Sequence, residues 1–261
     1  DFVKESYDFI ILGAGIVGLT IARALIGDHP ESKILVVEKE DVAGCHGSGR
    51  NSGVLHSGIY YPSDSLKAMV CASGSKAMAD YCDQNNLPIN RMGKVIVPTK
   101  EQDDPQVDLL YQRAQKNGAR VEIIDEQQLH EIEPAARTAT GRALYSPDTA
   151  VVDPKVILKT IIQELTKKGV QFKFSTQCTS ADFNHSTIQV SNEKLTYGAL
   201  YNATGQYADK IAKMFGAAEN YTSLPFKGIY FKLSAESYIQ FNGLIYPVPD
   251  LNVPFLGVHS V

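Results

Sequence analysis

The hydrophobic pattern changes period several times along the chain. Tyr7–Leu12 is a short apolar run suited to a strand buried on both faces. The spacing then predicts a helix over about Ile16–Ile26, with Gly27 as its C-terminal cap and His29-Pro30 breaking the chain. Lys33–Val37 completes a β-α-β unit. Residues 41–64 are rich in Gly, Ser and Asn and predict a long loop, and long ordered loops usually carry function. A helix is expected over Leu66–Asp83, with Met69, Val70, Met78, Tyr81 and Cys82 on its apolar face. Gly93–Thr99 reads as a strand, and Asp104 then caps a helix with Pro105 at its first position and Gly118 at its end. Val107, Leu110, Tyr111 and Ala114 form that helix's stripe. The same grammar recurs at Asp153-Pro154, with Val156, Ile157, Ile161 and Leu165 inward and Gly169 closing. Strands at Val170–Ser175, Thr187–Val190 and Ala199–Asn202 follow, then a helix over about Tyr207–Phe215. From Leu224 the texture alternates: Ile229, Phe231 and Leu233 are interleaved with Tyr230 and Lys232, a half-exposed antiparallel pattern. Pro247, Pro249 and Pro254 punctuate the last strands. Parallel α/β stretches and a mixed or antiparallel sheet thus alternate, which predicts two interleaved lobes. Their expected boundaries are 1–88 with 150–218, and 89–149 with 219–261.

Composition narrows the class. At 261 residues, 44% hydrophobic and 21% charged, the chain is globular and long enough to bury a core without a disulfide or metal staple. Its 25 basic and 29 acidic side chains leave a net charge of −4 with no basic block, so no nucleic-acid partner is expected. Cys45, Cys71, Cys82 and Cys178 form no CxxC or metal-ligand spacing, which predicts reduced thiols in an intracellular, cytoplasmic protein and no metal. The run from Phe9 to Ile26 is broken by glycines and by Arg23, so no transmembrane span is expected. The acidic flank before it is wrong for a signal peptide, and the chain opens without Met.

Three strings carry candidate chemistry. Gly13-Ala14-Gly15-Ile16-Val17-Gly18 is a G-x-G-x-x-G string between a strand and a helix. Gly13 permits the tight turn, Gly15 admits a pyrophosphate, and Gly18 lets helix and strand approach. Glu38, with Lys39 beside it, follows the second strand where a carboxylate can accept hydrogen bonds from a ribose diol. An acid there disfavours a 2′-phosphate and hence NADP. The expected fold class is therefore α/β, with a Rossmann-like dinucleotide-binding domain interleaved with a substrate domain on a mixed sheet. The second string runs from Gly49 to Tyr61, RNSGVLHSGIYY after its first glycine. Gly53 and Gly58 permit close backbone approach, Arg50, Asn51 and Ser52 offer polar contacts, and His56 titrates near neutrality. The third is Asn202-Ala203-Thr204-Gly205, a small-residue turn between a strand and a helix.

These strings, together with Ser65-Leu66-Lys67-Ala68, NATGQYAD, Ile245–Asp250 and Pro254–His259, resemble the L-2-hydroxyglutarate dehydrogenase/oxidase family of the D-amino-acid-oxidase-like flavoenzymes. The resemblance implies FAD held by Gly13, Gly15, Gly18 and Glu38, with flavin-proximal contacts from Ser48 through Asn51, Ser52, Gly53 and Val54 to His56. It also implies adenine near Cys178 in the stretch Thr176–Thr179, and Ala203, Thr204 and Gly205 closing over the cofactor. It further implies hydride transfer from C2 of a 2-hydroxy acid to flavin, and onward transfer of electrons to a quinone or oxygen. Peripheral membrane contact would serve a quinone acceptor, and a mitochondrial address would suit a eukaryotic source. Family members run further than His259-Ser260-Val261, so the C-terminal portion that completes both pocket and substrate lobe is expected to be missing here.

Oxidising an alcohol carbon needs a base for the hydroxyl proton, and histidine fits. His56 and His259 are the candidates, each also suited to positioning a carboxylate. His29, His46, His130 and His185 are expected to face solvent. A dicarboxylate needs cationic partners, for which Arg50, Lys67 and Lys227 are the candidates; Tyr60 and Tyr61 are suited either to donating hydrogen bonds or to packing, and packing is the expectation. The alternatives are an amine or amino-acid oxidase of the same fold, an NAD dehydrogenase, and a catalytically silent nucleotide-binding fragment.

Overall fold

The computed structural model describes residues 5–250 and 257–260. In chain order the elements begin β1 (Ser6–Leu12), α1 (Ile16–Asp28), β2 (Ile34–Val37), β3 (Val54–Leu55), α2 (Leu66–Gln84), β4 (Ile89–Asn90) and β5 (Lys94–Val97). Next come α3 (Asp104–Lys116), β6 (Glu122–Asp125), α4 (Glu126–Ile132), β7 (Arg142–Ser146), β8 (Ala150–Val152) and α5 (Pro154–Lys167). The last are β9 (Gln171–Lys173), β10 (Cys178–Asp182), β11 (Thr187–Val190), β12 (Glu193–Asn202), α6 (Ala208–Met214) and β13 (Leu244–Pro247).

The chain divides into two compact units, each assembled from two chain segments. The first comprises the chain up to Asn51 together with Pro154–Tyr230. Its six-stranded sheet has the order β10-β11-β12-β1-β2-β9. β12, β1, β2 and β9 run parallel, and β10 and β11 extend the sheet antiparallel. At the centre of the sheet β2 is apolar and buried throughout, and β1 is buried over Ile10–Leu12, because both faces are covered there. Ile10, Leu12, Leu35 and Val37 pack in one cluster with Tyr7, Cys178, Ile188, Leu195 and Ile211. Leu19, Ala22 and Ile26 of α1 and Ile157, Leu158, Ile161 and Leu165 of α5 are buried, the two helices packing on one another.

The second unit comprises Ser52–Asp153 and the chain from Phe231 on. Its main sheet, β13-β5-β7-β6, is mixed: β13 and β5 are parallel, and β7 runs antiparallel to β5 and β6. Strand alternation gives it two cores. Ile96, Leu144, Leu244 and Tyr246 pack against Val107, Leu110 and Ala114 of α3 and against Ile59 and Tyr60. Val95, Val97, Ile124 and Ala143 pack against Leu129 of α4 on the other face. A small antiparallel sheet, β3-β8-β4, stands beside them.

Several expectations are corrected. The units part at 51/52 and 230/231, not at 88/89 and 218/219, because β3 and α2 pack with β4 and β8 of the second unit. α1 runs past Gly27 to Asp28, with His29 as its C-cap. A single 3₁₀ turn at Glu101–Asp103 precedes α3, whose first residue is Asp104; Asp103 accepts hydrogen bonds from the Thr99 and Lys100 amides. α2 buries Ala68, Tyr81 and Cys82, while Met69 and Val70 face out. The alternating segment Ile229–Leu233 forms no strand, and Phe231 is 95% exposed. Alternation becomes a strand only beside a hydrogen-bonding neighbour, and among the described residues none lies along it. Pro254, with the rest of 251–256, lies outside the described residues.

Candidate functional site

The first unit carries a cavity of ≈ 760 Å³ at the C-terminal ends of its parallel strands. Leu12 ends β1, Val37 ends β2 and Asn202 ends β12, and all three line it. Open α/β sheets bind ligands at this edge. The lining includes Gly13, Gly15, Val17, Glu38, Lys39, Ser48, Cys178, Ala203, Thr204 and Gly205. The fingerprint and the distant turn after β12 therefore meet in one cradle.

Its backbone geometry explains the glycines. Gly13 has a φ of 105°, and a Cβ there would stand 2.5 Å from the Ala203 carbonyl oxygen. A Cβ at Gly18 would stand 1.9 Å from the Gly13 carbonyl oxygen, so α1 could not approach β1. The turn is tied to the sheet by the Gly13 amide on the Val37 carbonyl at 2.8 Å and the Ala203 amide on the Leu12 carbonyl at 2.9 Å. Gly15, the N-cap of α1, has no capping side chain. Apart from the Ile16 amide, which Ser48 takes, the first turn of α1 thus presents amide donors and the positive dipole end to the cavity.

Glu38 is held from two directions. Its Oε2 accepts the Ala14 amide at 2.8 Å and its Oε1 accepts the Glu40 amide at 3.0 Å. Ser48 Oγ accepts the Ile16 amide at 3.0 Å. Asn51 Nδ2 donates to the Gly47 and Ser48 carbonyls, both at 2.9 Å, and shapes the loop that delivers Ser48. Ala14, Ile16 and Gly18 thus support the cradle through backbone, whereas Val17 reaches it directly.

His46 departs from expectation, because it lines the cavity instead of facing solvent. Gln206 Nε2 donates to its Nδ1 at 3.0 Å, and its Nε2 donates to Glu40 Oε1 at 2.9 Å. Lys39 Nζ pairs with the same carboxylate at 2.6 Å and sits 4.5 Å from the Tyr207 ring centroid. Hydrogen bonds from Lys39 and then His46 pull the Glu40 carboxyl down to about 2. A carboxylate two residues beyond Glu38 and a turn ending in Gln206-Tyr207 were the available sequence signals.

The second unit holds the other candidates. Gly53 takes a φ of 73° and accepts the Val152 amide at 3.0 Å, so Ser52, Gly53 and Val54 belong to this unit and do not line the cavity. The His56–Tyr61 loop is fixed by α3 and its C-cap. Arg113 donates to the Tyr60 carbonyl at 2.9 Å, and Asn117 Nδ2 donates to the Gly58 and Tyr61 carbonyls at 2.9 and 3.0 Å. The Cys71 thiol donates to the His56 carbonyl at 3.0 Å.

Around Tyr246 the structure brings the two candidate bases together. His259 stacks on the Tyr246 ring at 4.2 Å between centroids, and His56 stands edge-on to it at 6.2 Å. Tyr60 is edge-on to His56 at 6.5 Å. The His259 Nδ1–H donates to the Gly257 carbonyl at 2.9 Å. His56 Nδ1 is buried with no hydrogen-bond partner. Burial first, then the positive charges of Lys94 and His259, lower the His56 pKa to about 4, so the ring is neutral at pH 7.

The expected cations fare differently. Arg50, Lys67 and Lys227 are exposed, and Lys67 lies over the Tyr61 ring at 5.7 Å. Lys94, not among the expected cations, is 1% exposed with Nζ 4.7 Å from the Tyr60 ring centroid and 5.1 Å from that of Tyr246. The apolar run Val95-Ile96-Val97 was the signal: a strand buried on both faces carries its first residue inside as well.

A family model described as FAD dependent oxidoreductase matches residues 8–261. The chain is 38% identical to an L-2-hydroxyglutarate dehydrogenase of Nematostella vectensis over 98% of its own length and 59% of that relative. The human mitochondrial L-2-hydroxyglutarate dehydrogenase is 34% identical over 98% of this chain and 58% of its own. The enzyme of that name from Escherichia coli K12 is 32% identical over 97% of this chain and 60% of its own. The chain therefore spans about 60% of the length of these curated relatives. Among solved structures, an L-alpha-glycerophosphate oxidase from Mycoplasma pneumoniae with FAD bound superposes with a TM-score of 0.78 at 21% identity, covering 94% of this chain and 66% of that one. A glycine oxidase from Geobacillus kaustophilus gives 0.74 at 17% identity, covering 82% and 59%. These two likenesses establish the shared fold. Among the described residues no helix is long and apolar enough to cross a membrane.

Proposed function

We propose, from the premise that this chain belongs to the FAD dependent oxidoreductase family, that it serves the oxidation of L-2-hydroxyglutarate to 2-oxoglutarate. The observation that carries the substrate is the 32–38% identity to proteins named L-2-hydroxyglutarate dehydrogenase across nearly the whole chain. FAD, when bound, accepts the hydride leaving C2 of the acid. The cradle residues fit that cofactor: Gly15 lines the cavity without a side chain where the diphosphate would lie, Gly13 and Gly18 allow the tight turn and close helix packing behind it, α1 offers amides, and Glu38 presents a carboxylate to the adenosine ribose.

The chain's own contribution is proton handling. His56 is assigned as the base for the C2 hydroxyl proton. Burial keeps its imidazole neutral, and its Nδ1 is unengaged, so it can accept at neutral pH. His259 stacks beside it on Tyr246 and is assigned a positioning role. The Asn117 and Arg113 contacts hold the loop so that the imidazole need not be ordered during the reaction.

Anaerobic mixing of the flavin-loaded protein with L-2-hydroxyglutarate, glycine or sarcosine tests the reading. Bleaching of the visible flavin band by the hydroxy acid is expected. Bleaching by an amine alone overturns it. His56→Ala should retain flavin and slow its reduction about 10²–10⁴-fold, the usual contribution of a general base.

A further inference from the structure

We propose that Lys94 is the cation of the substrate site, an ammonium held against the Tyr60 and Tyr246 rings that receives a carboxylate of the acid beside His56. The inference rests on the hydroxy-acid reading for the identity of the acid, but the carboxylate-binding role stands on geometry of its own.

Lys94 opens β5, a strand with neighbours on both sides: it lies opposite Leu244 of β13 and Ser146 of β7. A lysine at that register cannot slide its ammonium past a sheet edge into water. Its Nζ is buried and has no hydrogen-bond partner, and no ion pair with it occurs among the described residues. Both rings that flank it offer a π-face, which attracts a cation but satisfies none of its three N–H donors.

The neighbours are deficient in the same way. His56 Nδ1 and Tyr60 Oη are also buried without a partner, and their rings stand 6.5 Å apart. Three unpartnered polar groups thus fall in one cluster, joined through the Tyr60 and Tyr246 rings. Buried polar groups in folded proteins are almost always satisfied, so such a cluster marks a place where a polar ligand supplies the missing atoms. An ammonium and a phenol are donors, which makes that ligand an acceptor, and the unbalanced positive charge makes it an anion. A carboxylate, with two oxygens and about four lone-pair sites, answers the ammonium and the phenol, while His56 Nδ1 is left to accept from the hydroxyl of the acid. Among the described residues, the titratable groups that face Lys94 are His56, Tyr60, Tyr246 and the Cys71 thiol, with His259 beside His56, and none of these is a carboxylate.

The test uses glutarate, a five-carbon dicarboxylate with no oxidisable hydroxyl, titrated calorimetrically into the FAD-loaded wild type, Lys94→Met and Lys94→Gln. Wild type is expected to bind, and both variants to bind at least tenfold more weakly. Both should keep their flavin spectrum, and their thermal midpoints without acid should equal or exceed that of wild type, because an unbalanced buried charge has been removed. Equal glutarate affinity in variants and wild type overturns the proposal, as does a wild type that binds no glutarate. Variants that lose flavin or melt earlier assign Lys94 to packing and also overturn it. Failure of the hydroxy-acid reading looks different: flavin is then bleached only by an amine, while glutarate binding still depends on Lys94.

Discussion

At the scale of single residues, the cofactor cradle is governed by what is absent from a side chain. Gly18 illustrates this. Alanine there would press a methyl group against backbone at 1.9 Å from the Gly13 carbonyl oxygen, and backbone cannot rotate aside. Gly18→Ala is therefore expected to destabilise the first unit by about 1–3 kcal/mol, the usual range for overpacking. It should also lower FAD affinity at least 100-fold, since α1 and the Gly13 turn move together. The flavin-to-protein ratio after gel filtration reads the second effect and a thermal melt the first. A variant that keeps full flavin would show that the close approach is not needed to shape the cradle. The lining of this cavity was legible in the sequence because the glycine spacing, Glu38 and the Ala203–Gly205 turn each state a steric or electrostatic requirement locally. His46 and Lys94 were not legible in the same way. His46 is drawn inward by Glu40 and by Gln206, 160 residues away, a partnership no local pattern encodes. Lys94 looks solvent-seeking by type, and the apolar run after it hints at burial that becomes definite once β5 is paired on both sides.

At the scale of elements, a helix and its C-cap fix the histidine loop. The Gly58 and Tyr61 carbonyls both receive Asn117 Nδ2, and the Tyr60 carbonyl receives Arg113. Asn117→Ala deletes two hydrogen bonds at one stroke and leaves their carbonyls without that donor. The expected cost is about 1–3 kcal/mol, with amide exchange at residues 58–61 accelerating while exchange in β1 and β2 stays unchanged. Hydrogen exchange followed by mass spectrometry distinguishes this from a global loss of stability, in which all elements would accelerate together. The hydrophobic pattern located β1, α1, β2, α3, α5 and β11 within a few residues of expectation, although β1 pairs with the distant β12 and α1 packs on the distant α5, because each carries its own apolar period and end signals. Ile229–Leu233 did not become a strand. Its alternation is real, but a strand is a property of a pair, and the partner must be supplied from elsewhere.

At the scale of the whole molecule, each unit is built from two stretches of chain, and this has a thermodynamic consequence for the cofactor. The cavity of the first unit takes Gly13, Glu38 and Ser48 from one stretch and Cys178, Ala203 and Gly205 from the other. A dinucleotide seated there touches both, so it favours only the state in which the two stretches are docked. FAD should then stabilise the native first unit by RT ln(1 + [L]/Kd), about 2.7 kcal/mol at a hundredfold excess over Kd. For a chain of this size that corresponds to a rise of roughly 5–10 °C in the melting midpoint. NAD, which shares the adenosine diphosphate but lacks the flavin, should give a smaller rise at the same concentration. Exchange protection on adding FAD should spread through β1, β2 and β12 together, because each contributes its C-terminal end to the cavity. Protection confined to the Gly13–Gly18 turn would mean that the cofactor grips one stretch alone, and that the two are coupled by the sheet and not by the ligand.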